Sequence, residues 1–171
     1  MKKVVLASLL SLASFTSAAQ WQAGAGLVQL SNSEDDQTIK LTALVAEAKY
    51  SFHKTDKVEW LVGARYGFGI QDDEFDFAYG AEIDVELDRF VSIDLRAQFA
   101  INEQAYFFLT PSYTNAKYTA KFQYFSESES DWELGGGLGL GYQFNEATAV
   151  EASYQRFDET NALGVSFSYK F

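Results

Sequence analysis

The chain has 171 residues with 24 acidic and 13 basic side chains, no cysteine, one histidine and one proline. That balance excludes a nucleic-acid surface, and the absence of thiols excludes a disulfide framework, a thiolate zinc site and cysteine redox chemistry. Aromatics at 16% favour strands throughout, and a single proline is easily placed at an edge or a bulge.

At the amino end, Lys2 and Lys3 precede an apolar stretch from Val4 to Phe15 and then Ser17-Ala18-Ala19, the pattern of a secretory signal cut after Ala19. The stretch is too short for a spanning helix, and no later run reaches the roughly 18 apolar residues that would make one. Residues 20–171 are therefore read as one exported domain.

Alternation with a period of two organises that domain. Strands are predicted at 20–30, 39–52, 58–70, 90–101, 105–125, 131–144, 148–158 and 161–171. In the second, Leu44, Ala46, Ala48, Tyr50 and Phe52 oppose Glu47, Lys49 and Ser51. The third sets Trp60, Val62, Ala64, Tyr66, Phe68 and Ile70 against Leu61, Gly63, Arg65, Gly67 and Gly69. In the fourth, Val91, Ile93, Leu95, Ala97 and Phe99 face away from Ser92, Asp94, Arg96 and Gln98. From Trp132 the pattern returns as Leu134, Leu138, Leu140, Tyr142 and Phe144 against Glu133 and a row of glycines. The last strand alternates without a fault, Leu163, Val165, Phe167, Tyr169 and Phe171 against Gly164, Ser166, Ser168 and Lys170.

Alternation alone does not say which face meets water, since a soluble sandwich or lipocalin carries the same pattern. The aromatics break the tie. Trp21, Tyr50, Phe52, Trp60, Tyr142, Phe144, Tyr169 and Phe171 gather at strand ends, as in the interfacial girdles of membrane barrels. Short polar turns at 53–57, 102–104 and 145–148 fit the periplasmic side. Acidic connections at 31–38, 71–76, 126–131 and 158–160 fit longer external loops.

The segment 75–90 also alternates, and with a phase flip near Asn115 read as a turn it would raise the count to ten. Its acids, Asp76, Glu82, Asp84, Glu86 and Asp88, would then enter the lumen with few bases opposite, a costly arrangement. Eight strands with 75–90 as an extended external loop is the expectation.

This orientation encloses Glu47, Asp94, Glu133 and Glu151 with Lys49, Arg65, Arg96, Lys121 and Lys170, and the expected network joins Arg65 and Arg96 to Glu133 and Glu151. Trp60, Val62, Tyr66, Leu138, Leu140, Tyr142, Leu163 and Val165 then face lipid. No catalytic constellation emerges: His53 sits in a turn beside Lys54, no histidine stands near a serine at the other end, and Gly135-Gly136-Gly137 lies inside a strand and not before a helix. The acidic clusters lack the glycine and spacing of a calcium loop, so no metal, cofactor or enzymatic activity is assigned.

The alternating strands, the turns and the terminal Gly164-Val165-Ser166-Phe167-Ser168-Tyr169-Lys170-Phe171 resemble the small outer-membrane β-barrel family of the OmpX and OmpA transmembrane-domain type. The resemblance implies a closed, antiparallel, up-and-down, all-β barrel in the outer membrane of a Gram-negative cell. It also implies that Phe167, Tyr169 and Phe171 form the signal read by the barrel assembly machinery. Expected neighbours are outer-membrane lipids and lipopolysaccharide around a monomer, with any external ligand left open. The function expected is structural or surface interaction with a plugged lumen; a narrow passive channel and a soluble periplasmic barrel holding an apolar ligand are the alternatives.

Overall fold

The computed structural model describes residues 20–34, 37–71, 73–77, 81–122 and 125–171, and side chains outside 33–38, 72–84 and 121–125. Its strands are β1 (Trp21–Glu34), β2 (Gln37–Lys54), β3 (Val58–Gln71), β4 (Asp73–Phe77), β5 (Ala81–Ala100), β6 (Ala105–Phe122), β7 (Phe125–Gln143), β8 (Thr148–Phe157) and β9 (Thr160–Lys170). All pairings are antiparallel. β3 and β4 run in line along the same partner, β5, so the segments make eight staves. The seam between β1 and β9, from Gln22–Lys170 to Asn32–Thr160, closes the cylinder. Closure leaves no open edge in the wall, as a lipid environment requires.

One end carries three tight turns built from local side-chain chemistry. The Asn102 Oδ1 atom accepts from the Gln104 and Ala105 amides at 2.9 and 2.7 Å, and Asn145 Oδ1 repeats the device with Ala147 and Thr148 at 2.9 Å each. At the third, Thr55 Oγ1 accepts from the Val58 amide at 3.1 Å. These are the side-chain turns that Asn and Thr favour, and they define the turn end.

The opposite, hairpin end departs from the expected loops. The described part of 75–90 is strand and not an extended loop: β4 pairs antiparallel with the first residues of β5 and prolongs the sheet beyond the cylinder. The ten-strand alternative fails at both of its extra turns. Asp88 sits at a bulge between Leu87 and Arg89, and Asn115 lies mid-strand in β6. The acids of 126–131 also ride on a strand, the outer part of β7. Between β8 and β9 the connection is a tight turn with Asp158 at φ 49°, a conformation aspartate tolerates better than most side chains. Pro111 stands where the β5–β6 ladder steps from Ala97–Leu109 to Asp94–Ser112, so its missing amide falls in an interruption of that ladder.

Burial is inverted relative to a soluble protein. Leu138, Leu140, Leu163, Val165 and Phe167 are exposed on the outer wall, whereas Lys49, Asp94, Arg96 and Glu151 are buried within it. The expected aromatics form one ring at the turn end, where Trp21 meets Tyr50, Tyr142 meets Phe144 and Tyr169 meets Phe171 at centroid separations of 5.0, 5.5 and 5.2 Å. A second rim at the hairpin end includes Tyr113 stacked on Trp132 at 4.8 Å. Two aromatic levels bounding an apolar wall fit the two interfaces of a bilayer.

Candidate functional site

The lumen holds two chemically distinct layers. Toward the turn end, the Lys49 ammonium bridges Glu47 at 2.9 Å and Glu151 at 3.1 Å. Glu151 also receives the Arg96 guanidinium at 3.0 Å and the Tyr106 hydroxyl at 2.6 Å. Arg96 lies over the Phe108 ring, with Cζ 3.4 Å from its centroid. Beside this group, Arg65 grips Asp94 through two hydrogen bonds of 2.7 and 2.8 Å, and Ser92 links Asp94 to Thr114. Between the two groups lies a cavity of about 50 Å³, lined by Glu47, Arg65, Asp94, Arg96 and Glu151.

Glycine makes this geometry. A β-carbon at Gly139 would fall 2.2 Å from the Phe108 ring, and one at Gly141 would fall 2.1 Å from the Tyr106 ring. With no side chain on β7 there, both aromatics of β6 lie against it and carry the Tyr106 hydroxyl to Glu151 and the Phe108 face to Arg96. The glycines of β7 are therefore close-approach positions.

Toward the hairpin end the lumen is apolar. Val28, Leu30, Leu41, Ala43, Val45, Leu87, Phe90, Ala116, Phe157 and Ala162 form one buried cluster, with Ile39, Val85 and Tyr118 packed on it. Phe90 is fully buried, and the Phe90 and Phe157 rings stand 6.4 Å apart. Arg65 lies 5.4 Å over Phe90, so that ring marks the boundary between the layers. Beyond the Tyr113–Trp132 rim, burial pushes the Tyr118 phenol up to about 12, against a hydrogen bond with Thr160 and with a further push from the Glu133 charge. The phenol stays neutral and adds no charge to the apolar cluster it packs on.

The expected network thus divides differently from the sequence reading. Arg65 meets Asp94, and Arg96 meets Glu151, but Glu133 joins neither. It is partly buried at the hairpin end, among the carboxylates of Glu129, Asp131 and Asp158. Lys170 lies at the turn-end mouth, 3.8 Å from Glu59, which also faces Lys54 at 3.6 Å. The side chain of Lys121 falls outside those described. Trp60, Val62, Tyr66, Leu138, Leu140, Tyr142, Leu163 and Val165 are exposed on the outer wall, as are Phe167, Tyr169 and Phe171 at its turn end. His53 is exposed at the end of β2.

Sequence reasoning missed Tyr106, Phe108, Glu59 and the whole apolar plug. For Tyr106 and Phe108 a signal existed, since Ala105 to Leu109 is apolar or aromatic on both faces and the glycines of 135–141 leave room for large inward residues on a neighbouring strand.

Comparison with known proteins agrees with this architecture. The Yersinia pestis attachment invasion locus protein Ail is 19% identical, with 90% of this chain and 99% of that one covered at a TM-score of 0.63. Neisserial surface protein A is 11% identical, with coverage of 88% and 97% and a TM-score of 0.61. The N-terminal β-barrel domain of Pseudomonas aeruginosa OprF is 16% identical, covering 88% and 100% at 0.51. At these identities the likeness is one of fold. No curated protein matches the chain in sequence. The model of the outer membrane protein beta-barrel domain matches residues 4–171, and with an apolar wall between aromatic rims this places the protein in the outer membrane, as a member of that family.

Proposed function

We propose that this is a non-enzymatic surface-interaction barrel with a closed lumen, which presents an acidic strand edge to cationic extended segments of external partners. The observation that carries the reading is the sheet beyond the cylinder. There β4, β5, β6 and β7 stand side by side, and among the described residues Ser126 to Leu134 of β7 pair only with β6. An unpaired edge offers a row of amides and carbonyls to a further strand. Glu127, Glu129 and Asp131 alternate along it with Ser126, Ser128 and Ser130, all exposed.

The edge is held rigidly. Lys117 meets Asp88 at 2.8 Å, Thr119 bonds Asp88 and Ser128 at 2.9 and 2.7 Å, and Asn115 joins Arg89 to the Asp131 carbonyl at 3.0 and 2.8 Å. Pre-ordered strands lose little entropy on pairing, which favours binding. One Ail structure holds the heparin analogue sucrose octasulfate, a polyanion. The acidic edge here favours the opposite charge in a partner.

The same reading closes the lumen by the Phe90–Phe157 plug above the ion pairs and assigns the first 19 residues to a removed leader. The outer wall faces lipid and lipopolysaccharide, Phe167, Tyr169 and Phe171 serve assembly, and the barrel works as a monomer.

The test is fluorescence anisotropy of an alternating Lys/Val peptide against protein in nanodiscs. Binding should weaken at least tenfold in the Glu127→Gln, Glu129→Gln, Asp131→Asn triple variant, and fall with salt. Single prolines at Ser128 and Glu129 differ in parity, so one of them removes an outward amide and should also abolish binding. No binding to the parent, or equal binding to every variant, contradicts the reading.

A further inference from the structure

Along β5 two strands of this chain lie end to end: β3 pairs with Phe99 to Phe90, and β4 then takes Val85 to Ala81. β7 has only the first half of that arrangement. β8 pairs with it from Gln143 to Gly135 and stops at Phe157, where Asp158 and Glu159 turn the chain into β9, on the far side from β7. Past that point the eight positions from Glu133 back to Ser126 pair with β6 alone among the described residues. The unpaired track therefore has a floor, the β8–β9 turn, and an open top. Its two faces differ. Glu127, Glu129, Asp131 and Glu133 alternate with Ser126, Ser128, Ser130 and Trp132, and at the floor the Glu133 carboxylate lies among those of Glu129, Asp131 and Asp158. Among the described residues no base forms an ion pair with these acids. Arg156 is exposed between the buried Gln155 and Phe157, and its Nε donates to the Asp158 carbonyl at 3.3 Å, leaving that carboxylate open.

We infer that this track receives the free amino-terminal strand of a partner protein, with its α-ammonium seated at the β8–β9 turn. The seat rests on the strand-edge reading of β7 and adds a polarity to it. A strand antiparallel to β7 runs in the direction of β8, in line with it, as β4 stands in line with β3, and so begins at the floor. A parallel strand would end there. Antiparallel pairing is the somewhat more stable ladder, and charge chooses the same way: an ammonium meets Glu133, Asp158 and Glu159, whereas a terminal carboxylate would be repelled. The ammonium donors make charge-assisted hydrogen bonds to carboxylates. A segment from the middle of a chain does not fit, because β8 occupies the track below the floor. The register then orders the partner's side chains. Its first, third, fifth and seventh residues stand opposite Glu133, Asp131, Glu129 and Glu127 and are cationic. Its second stands opposite Trp132, which is exposed and stacked on Tyr113 at 4.8 Å, and is apolar.

Anisotropy titrations of the full chain in nanodiscs test the seat with the octapeptide Lys-Val-Lys-Thr-Lys-Thr-Lys-Thr, labelled at its carboxyl end. Three further forms carry an N-acetyl group, a Ser-Gly-Ser extension before the first residue, or the same extension after the last. The N-terminal extension keeps every charge and only moves the amine, so it separates seating from general attraction. It should weaken binding at least fivefold, as should acetylation, while the C-terminal extension should leave affinity unchanged. In the Glu133→Gln, Asp158→Asn double variant the four forms should bind alike. The peptide series needs no protein variant, so it stands if that variant fails to assemble. Equal affinity of all four forms for the parent, lost in the Glu127→Gln, Glu129→Gln, Asp131→Asn variant, overturns the seat and leaves the strand edge. A greater loss from the C-terminal extension than from the N-terminal one overturns the polarity. No binding of any form to the parent removes the edge reading and the seat together.

Discussion

The two halves of the lumen solve one packing problem with opposite chemistry. In the turn-end half, Lys49, Arg96 and Tyr106 converge on Glu151, so a buried carboxylate is held by three donors. In the hairpin-end half, Phe90, Phe157, Leu30 and Leu41 fill the same bore with hydrocarbon. The ionic half is directional and depends on every partner being present; the apolar half is tolerant of any one change that keeps volume. On the reading proposed above the two have separate tasks: ion pairs fix the register of β2, β5, β6 and β8, and the apolar cluster excludes water.

The largest effect expected is at the hub. Glu151→Ala strands Arg96, leaves Lys49 with Glu47 alone, and should cost about 4 kcal/mol, read as the urea midpoint of unfolding from vesicles. Phe90→Ala should cost about 3 kcal/mol, because neighbouring plug side chains lean only partly into the space. On the outer wall, Leu138→Arg near mid-membrane should cost about 2–3 kcal/mol, whereas Ser166→Asn on the inner face should be far milder. The smallest effect is at the mouth: Lys170→Ala, 3.8 Å from Glu59, should cost under about 1 kcal/mol and vanish in high salt. If Lys170→Ala matches Glu151→Ala, the ionic half is not layered by burial as described.

Alternation separated the two faces, because Leu138, Val165 and Phe167 each stand between glycines or serines, and the aromatics at strand ends told which face is the outer wall. The ion pairs were legible as a set but not as partners. Arg65–Asp94 and Arg96–Glu151 depend on register between strands, which a single sequence does not state. The plug was hidden for another reason. In Leu27-Val28-Gln29-Leu30 and Leu41-Thr42-Ala43-Leu44-Val45 both faces carry apolar residues, and a one-face rule has nothing to choose between. The long hairpins read as loops in the sequence because a strand over 75–90 within the barrel would put its acids in the lumen with few bases opposite. Where a sheet extends past the membrane, both faces of Ser126 to Asp131 are exposed, and charge no longer argues against pairing.

Single-channel recording in planar bilayers tests most directly whether hydrocarbon, and not charge, closes the barrel. The parent and Glu151→Ala should both be silent, while Phe90→Ala combined with Phe157→Ala should show stable conductance steps from folded protein. Steps from the parent, or steps from Glu151→Ala with a silent plug variant, would contradict it.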